Sequence, residues 1–188
     1  SLDKRFPDVD NTPGEDFLEV RGLTTKYEPV LEDISFTVKK GEIFGLYGLV
    51  GAGRSELLES LFGIRTIASG EIIMNGKKLH FKNSKDAMDY SFALVTEERK
   101  LNGMFGKDTI QFNTTITNLD SYKTFGVLSN RKMQEAANRE IKIMHTKCVS
   151  ADELISSLSG GNQQKVIIGK WLERQPQVFL LDEPTRGI

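Results

Sequence analysis

Three short segments carry residues whose types and spacing suit phosphate chemistry. The first has the sequence GLVGAGRS and fits the phosphate-loop pattern GxxxxGK[ST], except that Arg54 stands where lysine is expected. Glycines in such a loop let successive backbone N–H groups face an anion, and the Ser55 hydroxyl can bind Mg²⁺. A planar guanidinium contacts phosphate differently from a compact ammonium, so we expect a phosphate cradle with an altered cation. An ordinary glycine-rich turn between a strand and a helix is the alternative. The candidate nucleotide-binding residues of this segment are Gly48, Leu49, Val50, Gly51, Ala52, Gly53, Arg54 and Ser55.

The second segment is an apolar stretch, residues 178–181, that ends at Asp182 and Glu183. The carboxyl ends of parallel strands form the ligand-binding edge of an α/β sheet. Asp182 is therefore a candidate Mg²⁺ ligand together with Ser55, and Glu183 is the candidate catalytic residue that orients or deprotonates an attacking water. A solvated acidic turn before Pro184 is the alternative.

The third segment, residues 158–165, reads LSGGNQQK. Ser159, Gly160 and Gly161 at a helix start combine a hydroxyl with backbone N–H groups, which suits an anion, and Gln163 belongs to the same segment. A single nucleotide does not need two phosphate-facing helix starts from one chain, whereas two chains facing head to tail would use both. A capped helix terminus without a ligand is the alternative.

Alternating strands and helices must position these segments. Apolar patterns predict strands at 17–20, 34–38, 43–47, 71–74, 77–79, 92–95 and 178–181, and helices at 55–62, about 130–144 and 161–172. The run at 43–47 predicts a strand buried on both faces, and Asn75-Gly76 predicts a tight hairpin turn. The pattern favours an α/β domain with a mainly parallel sheet and an antiparallel region near the N-terminus.

Composition shifts suggest the domain boundaries. Residues 1–16 contain Pro7, Pro13, Gly14 and five acidic residues, and they are predicted to be an interdomain linker. Residues 17–188 are predicted to form one domain, with a helical subdomain at about 100–157. Within that subdomain, Ser129 offers a helix cap, and the helical spacing of Met133, Ala137, Ile141 and Met144 predicts one packed face.

The composition excludes several classes of function. The 25 basic and 26 acidic residues give a net charge of −1, which argues against nucleic acid as the main partner. The single cysteine, Cys148, cannot form an internal disulfide. Since no apolar run approaches the roughly 20 residues of a membrane-spanning helix, we expect any role at a membrane to come through a partner.

These motifs, in this order, resemble the ABC ATPase family over residues 17–188. The stretches GLVGAGRSELL, ALVTEERK, LSGGNQQKVIIGKWL and LLDEPTRGI are similar to the second nucleotide-binding domain of tandem bacterial sugar importers that serve ribose, xylose and galactose. Arginine in the phosphate loop is typical of those second domains, and the TEER segment looks like the galactose/methylgalactoside group.

The resemblance implies a P-loop NTPase core that binds ATP and Mg²⁺ and hydrolyses ATP to drive sugar import. It implies that Tyr27 stacks on adenine and that Glu97 occupies the position where most members have a glutamine linking the γ-phosphate and Mg²⁺ to the membrane partner. A glutamate there departs from the family pattern, because it would repel a triphosphate unless Mg²⁺ or Arg99 offsets its charge. The family also uses a switch histidine on the strand after the DEP motif, which would lie beyond Ile188. His80 and His145 lie far upstream of that motif, and we expect both to be surface or structural residues.

The implied partners are the first nucleotide-binding domain of the same polypeptide, membrane permease subunits and, indirectly, a periplasmic or extracellular sugar-binding protein. The implied location is the cytoplasmic face of the membrane, and the isolated fragment is expected to be inactive. Two other functions fit the same motifs. One is a degenerate regulatory module that binds nucleotide with little hydrolysis, and the other is a DNA-repair or ribosome-associated ABC protein, which the lack of a coiled-coil arm and of a basic tract disfavours.

Overall fold

A computed structural model describes residues 12–185, which form two compact units that meet in sequence at Asn83 and Ser84. Most of the predicted linker at 1–16, and the last three residues of the segment LLDEPTRGI, lie outside the described residues.

The first unit is built on a four-stranded antiparallel sheet in the order β2-β1-β3-β4. Apolar side chains on alternate positions of the strands are buried and form its core, including Leu18, Val20 and Ile72. The strands are β1 (Asp16–Thr25), β2 (Ile34–Lys39), β3 (Ile67–Met74) and β4 (Lys77–Leu79).

The predicted hairpin turn between β3 and β4 is confirmed. Asn75 and Gly76 have φ of 50° and 71°, the left-handed conformation that a two-residue turn of this kind requires. Helix α1 (Arg54–Leu61) is also confirmed, and it buries Leu57, Leu58 and Leu61.

The strand predicted at 43–47 is wrong. The segment has no regular structure, and Ile43 and Tyr47 are 90% and 98% exposed. Phe44 stacks on Phe36 of β2, with ring centroids 5.2 Å apart. An inner strand depends on hydrogen-bonded neighbours on both sides, and within the described residues this apolar run has no such neighbour.

The second unit contains a parallel strand pair that the sequence located residue for residue. β5 (Phe92–Val95) and β8 (Val178–Leu181) pair from Phe92 opposite Val178 to Val95 opposite Leu181. All four residues of β5 are buried, as expected for a strand covered on both faces. The parallel pair, the antiparallel sheet and the helices confirm the α/β class.

The described part of the second unit also contains four α-helices. They are α2 (Ser84–Asp89), α3 (Ile110–Thr115), α4 (Asn130–Ile143) and α5 (Gly160–Leu172), and a short hairpin of β6 (Lys123–Thr124) and β7 (Val127–Leu128) precedes α4. The predicted cap of α4 is confirmed, because the Ser129 hydroxyl accepts a hydrogen bond from the Lys132 N–H. A cluster of Ile110, Ile155, Leu158 and Val166 forms the core between α3 and α5.

No helix within residues 12–185 is both long and apolar enough to cross a lipid bilayer.

Candidate nucleotide site

Two of the three glycines of the segment 48–55 adopt the left-handed conformation. Gly51 and Gly53 have φ of 82° and 83°, a backbone conformation that residues other than glycine rarely adopt. Gly53 is the N-cap of α1, and no side chain within the described residues caps that helix. The positive end of the α1 dipole therefore lies at this loop, a position that suits an anion.

The positive φ of Gly53 favours glycine, and the space beside it is limited by the end of the Leu31 side chain. A Cβ there would lie 2.2 Å from Cδ2 of Leu31. The outer part of the loop is open, with Leu49 81% and Val50 99% exposed, so these residues can offer backbone groups without moving a packed side chain. Ala52 closes the turn by donating its N–H to the Leu49 carbonyl at 3.0 Å.

Tyr27 lies on the loop that connects β1 to β2, and this loop contacts the phosphate loop through Leu31. The Leu31 N–H donates to Thr25 Oγ1 at 2.9 Å, which fixes the connection at the end of β1. The Tyr27 ring is 61% exposed, with Lys26 Nζ 5.5 Å from its centroid. A fixed loop with an exposed aromatic face is what stacking on a nucleobase requires.

Acidic residues collect at the carboxyl edge of the parallel pair. The Asp182 N–H donates to the Val95 carbonyl at 2.9 Å, so Asp182 sits where both strands end. Glu183 follows with φ of 42°, and Glu97 lies two residues beyond the end of β5. The structure thus brings Glu97, Asp182 and Glu183 to one sheet edge, as their predicted roles need.

The segment after Glu97 is anchored to α5. It forms one π-helical turn, Arg99–Gly103, a geometry that is frequent at functional sites. Lys170 on α5 is buried and donates from Nζ to the Gly103 carbonyl at 2.7 Å. Burial lowers the pKa of Lys170 to about 8.

The signature segment begins α5. Ser159 is exposed and is the N-cap residue, but its side chain accepts no capping hydrogen bond from the helix. Gly160 and Gly161 form the first turn. Gln163 is buried, and its amide nitrogen donates to the carbonyls of Ile155 at 3.3 Å and Leu158 at 3.1 Å. The Gln163 side chain is therefore engaged within its own chain, and its action on a second chain stays a prediction.

The sequence-predicted residues fall into two groups. Tyr27 and residues 48–55 belong to the first unit, and the acidic edge and the signature segment belong to the second. The convergence of residues 48–55 with Asp182 and Glu183 on one triphosphate stays a prediction. His80 and His145 are both exposed.

Two polar residues of the second unit, Asn162 and Glu140, were not identified from the sequence. Asn162 bridges the signature segment to the chain after α4, and Glu140 is buried against Gly169 of α5. Asn162 belongs to the signature segment, residues 158–165, and this position in the sequence was a signal that its amide could have a role at the site. Glu140 falls on the apolar face predicted for α4, between Ala137 and Ile141, and only the three-dimensional packing explains its burial.

Comparisons with known proteins show the family and the fold. The profile of the ABC transporter family matches residues 31–186. Among solved structures, cbiO1 from Clostridium perfringens, part of the ABC transporter complex cbiONQ, has a TM-score of 0.71 at 25% identity and covers 93% of this chain and 68% of its own. The dimeric structure of MJ0796, a bacterial ABC transporter cassette, has a TM-score of 0.73 at 21% identity and covers 91% of this chain and 75% of its own. The fold is that of an ATP-binding cassette.

The chain belongs to the ABC transporter family. It is 78% identical over all 188 residues to the galactose/methyl galactoside import ATP-binding protein MglA of Treponema denticola, and 71% identical to the protein of that name in Treponema pallidum. Identity to the protein of that name in Escherichia coli strain K12 is 49% over 189 residues. The chain spans 38% of the length of each Treponema relative and 37% of the Escherichia coli relative.

Proposed function

We propose that this chain is an ATP-binding and ATP-hydrolysing domain that powers import of a monosaccharide, galactose or methyl galactoside, through a membrane permease. The observation that carries the proposal is the start of α1, where left-handed Gly51 and Gly53 lead into a helix N-terminus that no side chain of the described residues caps. The names of the Treponema and Escherichia coli relatives support the choice of sugar.

Each site residue has a role in this proposal. The backbone of residues 48–55 and the Arg54 guanidinium hold the phosphates, and Tyr27 stacks on adenine. Glu183 orients or deprotonates the water that attacks the γ-phosphate. Glu97 reports the state of the nucleotide to the permease.

The available oxygen donors fit Mg²⁺. No cluster of three or more His, Cys, Asp or Glu side chains that could hold a metal occurs in residues 12–185. A hydroxyl and one carboxylate, Ser55 and Asp182, are the sparse protein contribution that Mg²⁺ takes when phosphates and water complete its shell. Bound Mg²⁺ would neutralise phosphate charge, and Ser55 and Asp182 would hold it.

We further propose that a second cassette completes the site. The hydroxyl of Ser159 and the N–H groups of Gly160 and Gly161 would contact the nucleotide held by the first nucleotide-binding domain of the same polypeptide. The exposed Ser159 side chain supports this, and a relative more than twice the length of this chain has room for two cassettes. Permease subunits and a sugar-binding protein outside the membrane complete the importer, which places this domain at the cytoplasmic face. The nearly balanced charge argues against nucleic acid as a partner.

A regulatory module that binds ATP with little hydrolysis is the second candidate. Arg54 in the phosphate loop and Glu97 at the edge of the sheet favour it. Arg54 presents a planar cation in place of a compact one, and Glu97 adds a negative charge that would repel the γ-phosphate. Asp182 and Glu183 at the end of β8 oppose it, since a module without hydrolysis needs no positioned base.

The substitution Glu183→Gln in the full-length protein with its permease separates the two. Removal of a general base costs roughly 10²- to 10⁴-fold at the affected site. We therefore expect ATP turnover to fall by at least about half, with only the other cassette still active, and sugar uptake into proteoliposomes to fall with it. Glu135→Gln on the exposed face of α4 is the matched control. Unchanged turnover and uptake in Glu183→Gln would assign this site to regulation.

The isolated chain provides a second test. Without a partner cassette, the signature segment has no nucleotide to contact, so we expect negligible phosphate release in a malachite-green assay. Several turnovers per minute from the isolated chain would contradict the proposed two-cassette site.

A further inference from the structure

Asn162 makes two hydrogen bonds that fix the orientation of its amide. Its Oδ1 accepts from the backbone N–H of Lys147 at 3.0 Å, and its Nδ2 donates to Ser159 Oγ at 3.0 Å. A backbone N–H can only donate, so the amide oxygen must face Lys147 and the amide nitrogen must face Ser159.

This orientation decides the direction of the Ser159 hydroxyl hydrogen. Because Ser159 Oγ accepts from Asn162, its own hydrogen cannot point back along that bond. The hydroxyl is exposed and takes no part in capping α5. Its hydrogen is thus available as a donor toward the space in front of the helix.

The support behind Asn162 is itself held in place. Lys165 on α5 donates from Nζ to the His145 carbonyl at 2.9 Å, which joins the same two segments a second time. Thr146 is buried and donates its N–H to the Ile141 carbonyl of α4 at 2.9 Å. The backbone that orients Asn162 therefore belongs to a fixed connection between α4 and α5.

We propose that Asn162 is a positioning residue that keeps the Ser159 hydroxyl as a hydrogen-bond donor to the γ-phosphate of the ATP bound by the other cassette. This inference rests on the proposed function. Asn162 acts through Ser159 and does not itself touch the nucleotide.

The substitution Asn162→Asp reverses the bond to Ser159 with almost no change in shape. One carboxylate oxygen still accepts from Lys147, but the other can only accept from Ser159 and so consumes its hydroxyl hydrogen. Asn162→Ala loses both bonds and leaves that hydrogen unengaged. The test uses the full-length protein with its permease and a Glu183→Gln background, in which the remaining turnover comes from the other cassette's nucleotide, the one that Ser159 is proposed to contact. There we expect Asn162→Asp to lower the kcat for ATP about tenfold or more, and Asn162→Ala to lower it only a few-fold.

The relative size of the two losses in kcat distinguishes two roles of Asn162, positioning of the Ser159 hydroxyl and support of the loop. If Asn162 only held the loop together, Asn162→Ala would be at least as damaging as Asn162→Asp, because Asp retains the Lys147 bond. That result would overturn the inference. Asn138→Asp, the same change at an exposed position of α4, is the control and should leave kcat unchanged.

A double-mutant cycle tests whether the effect passes through Ser159. In a Ser159→Ala background, Asn162→Asp should cause little further loss, because the hydroxyl is already absent. An undiminished loss would show that the new charge repels the nucleotide directly, and it would also overturn the inference. If the proposed function itself were wrong, the unmodified full-length protein would hydrolyse no ATP, a result that differs from both outcomes above.

Discussion

Glu140 on α4 is expected to make the stability of the second unit depend on pH. It is 7% exposed, and its Oε2 has no hydrogen-bond partner among the described residues. Burial, followed by the hydrogen bond and the repulsion from the neighbouring carboxyl of Glu173, raises the pKa of Glu140 to about 7, and Arg139 opposes this only in part. Glu173 itself accepts from Tyr122 at 2.7 Å and from Arg139 at 2.6 Å, so its oxygens already have other donors.

The sign and size of the effect follow from this pKa. An acid whose pKa is raised by folding binds more protons in the folded state, so its contribution to stability is full below the unfolded pKa of 4.5 and is lost as pH rises through about 7. At about 1.36 kcal/mol for each unit of pKa difference, the loss has an upper limit of about 3 kcal/mol. Local relaxation and water reduce such values, so we expect about 1–3 kcal/mol.

The substitution Glu140→Gln measures this contribution, because glutamine has the shape of the protonated acid. The free energy of unfolding should match that of the unmodified chain near pH 4.5 and exceed it by about 1–3 kcal/mol at pH 7.5. Urea titrations followed by the fluorescence of Trp171, the only tryptophan of the chain, report on α5 directly. Glu135→Gln on the exposed face of the same helix is the control and should show no such pH-dependent gain.

A constant difference between the Glu140→Gln variant and the unmodified chain from pH 4.5 to 7.5 would refute this reasoning. It would mean that Glu140 titrates alike in the folded and unfolded states, in spite of its burial.

Two further predictions concern backbone space and a buried cation. Gly70→Ala should destabilise the first unit by about 3 kcal/mol or more in urea titrations, because φ at this position is 98° and the new Cβ would lie 2.5 Å from the Gly22 carbonyl oxygen. Gly76→Ala should cost only about 1–2 kcal/mol, because its Cβ would meet nothing within 4 Å. Equal losses in the two variants would contradict the steric reasoning. In the unmodified chain, the free energy of unfolding should rise by up to about 3 kcal/mol between pH 8 and 10.5, because Lys170 binds more protons in the unfolded state than in the folded state in that range. Lys170→Met should abolish this rise. A variant that keeps the rise would show that another group causes it.

The sequence predicted those elements whose signals are local. The turn at Asn75-Gly76 needs only its own two residues, and the cap of α4 needs only Ser129 and the backbone that follows it. The strand β8 was located because four apolar residues run directly into two acids. In each case the residues that determine the structure lie next to one another in the chain.

The sequence failed where the outcome depends on distant partners. The run at 43–47 has the composition of an inner strand, but strand formation requires neighbours that composition does not specify. The burial of Glu140 depends on the close approach of α4 to Gly169, where a Cβ would lie 3.2 Å from Glu140 Oε2. The polarity of the Asn162 amide depends on Lys147, which is 15 residues away in sequence.

The bond from Lys170 to Gly103 has a mechanical consequence for α5. The helix has its N-cap at the signature serine and runs for 13 residues, about 20 Å, and its last turn contains Lys170, which binds the turn following Glu97. An α-helix resists compression along its axis, so a displacement of the turn that follows Glu97 would be carried through Lys170 toward Ser159 while that bond holds.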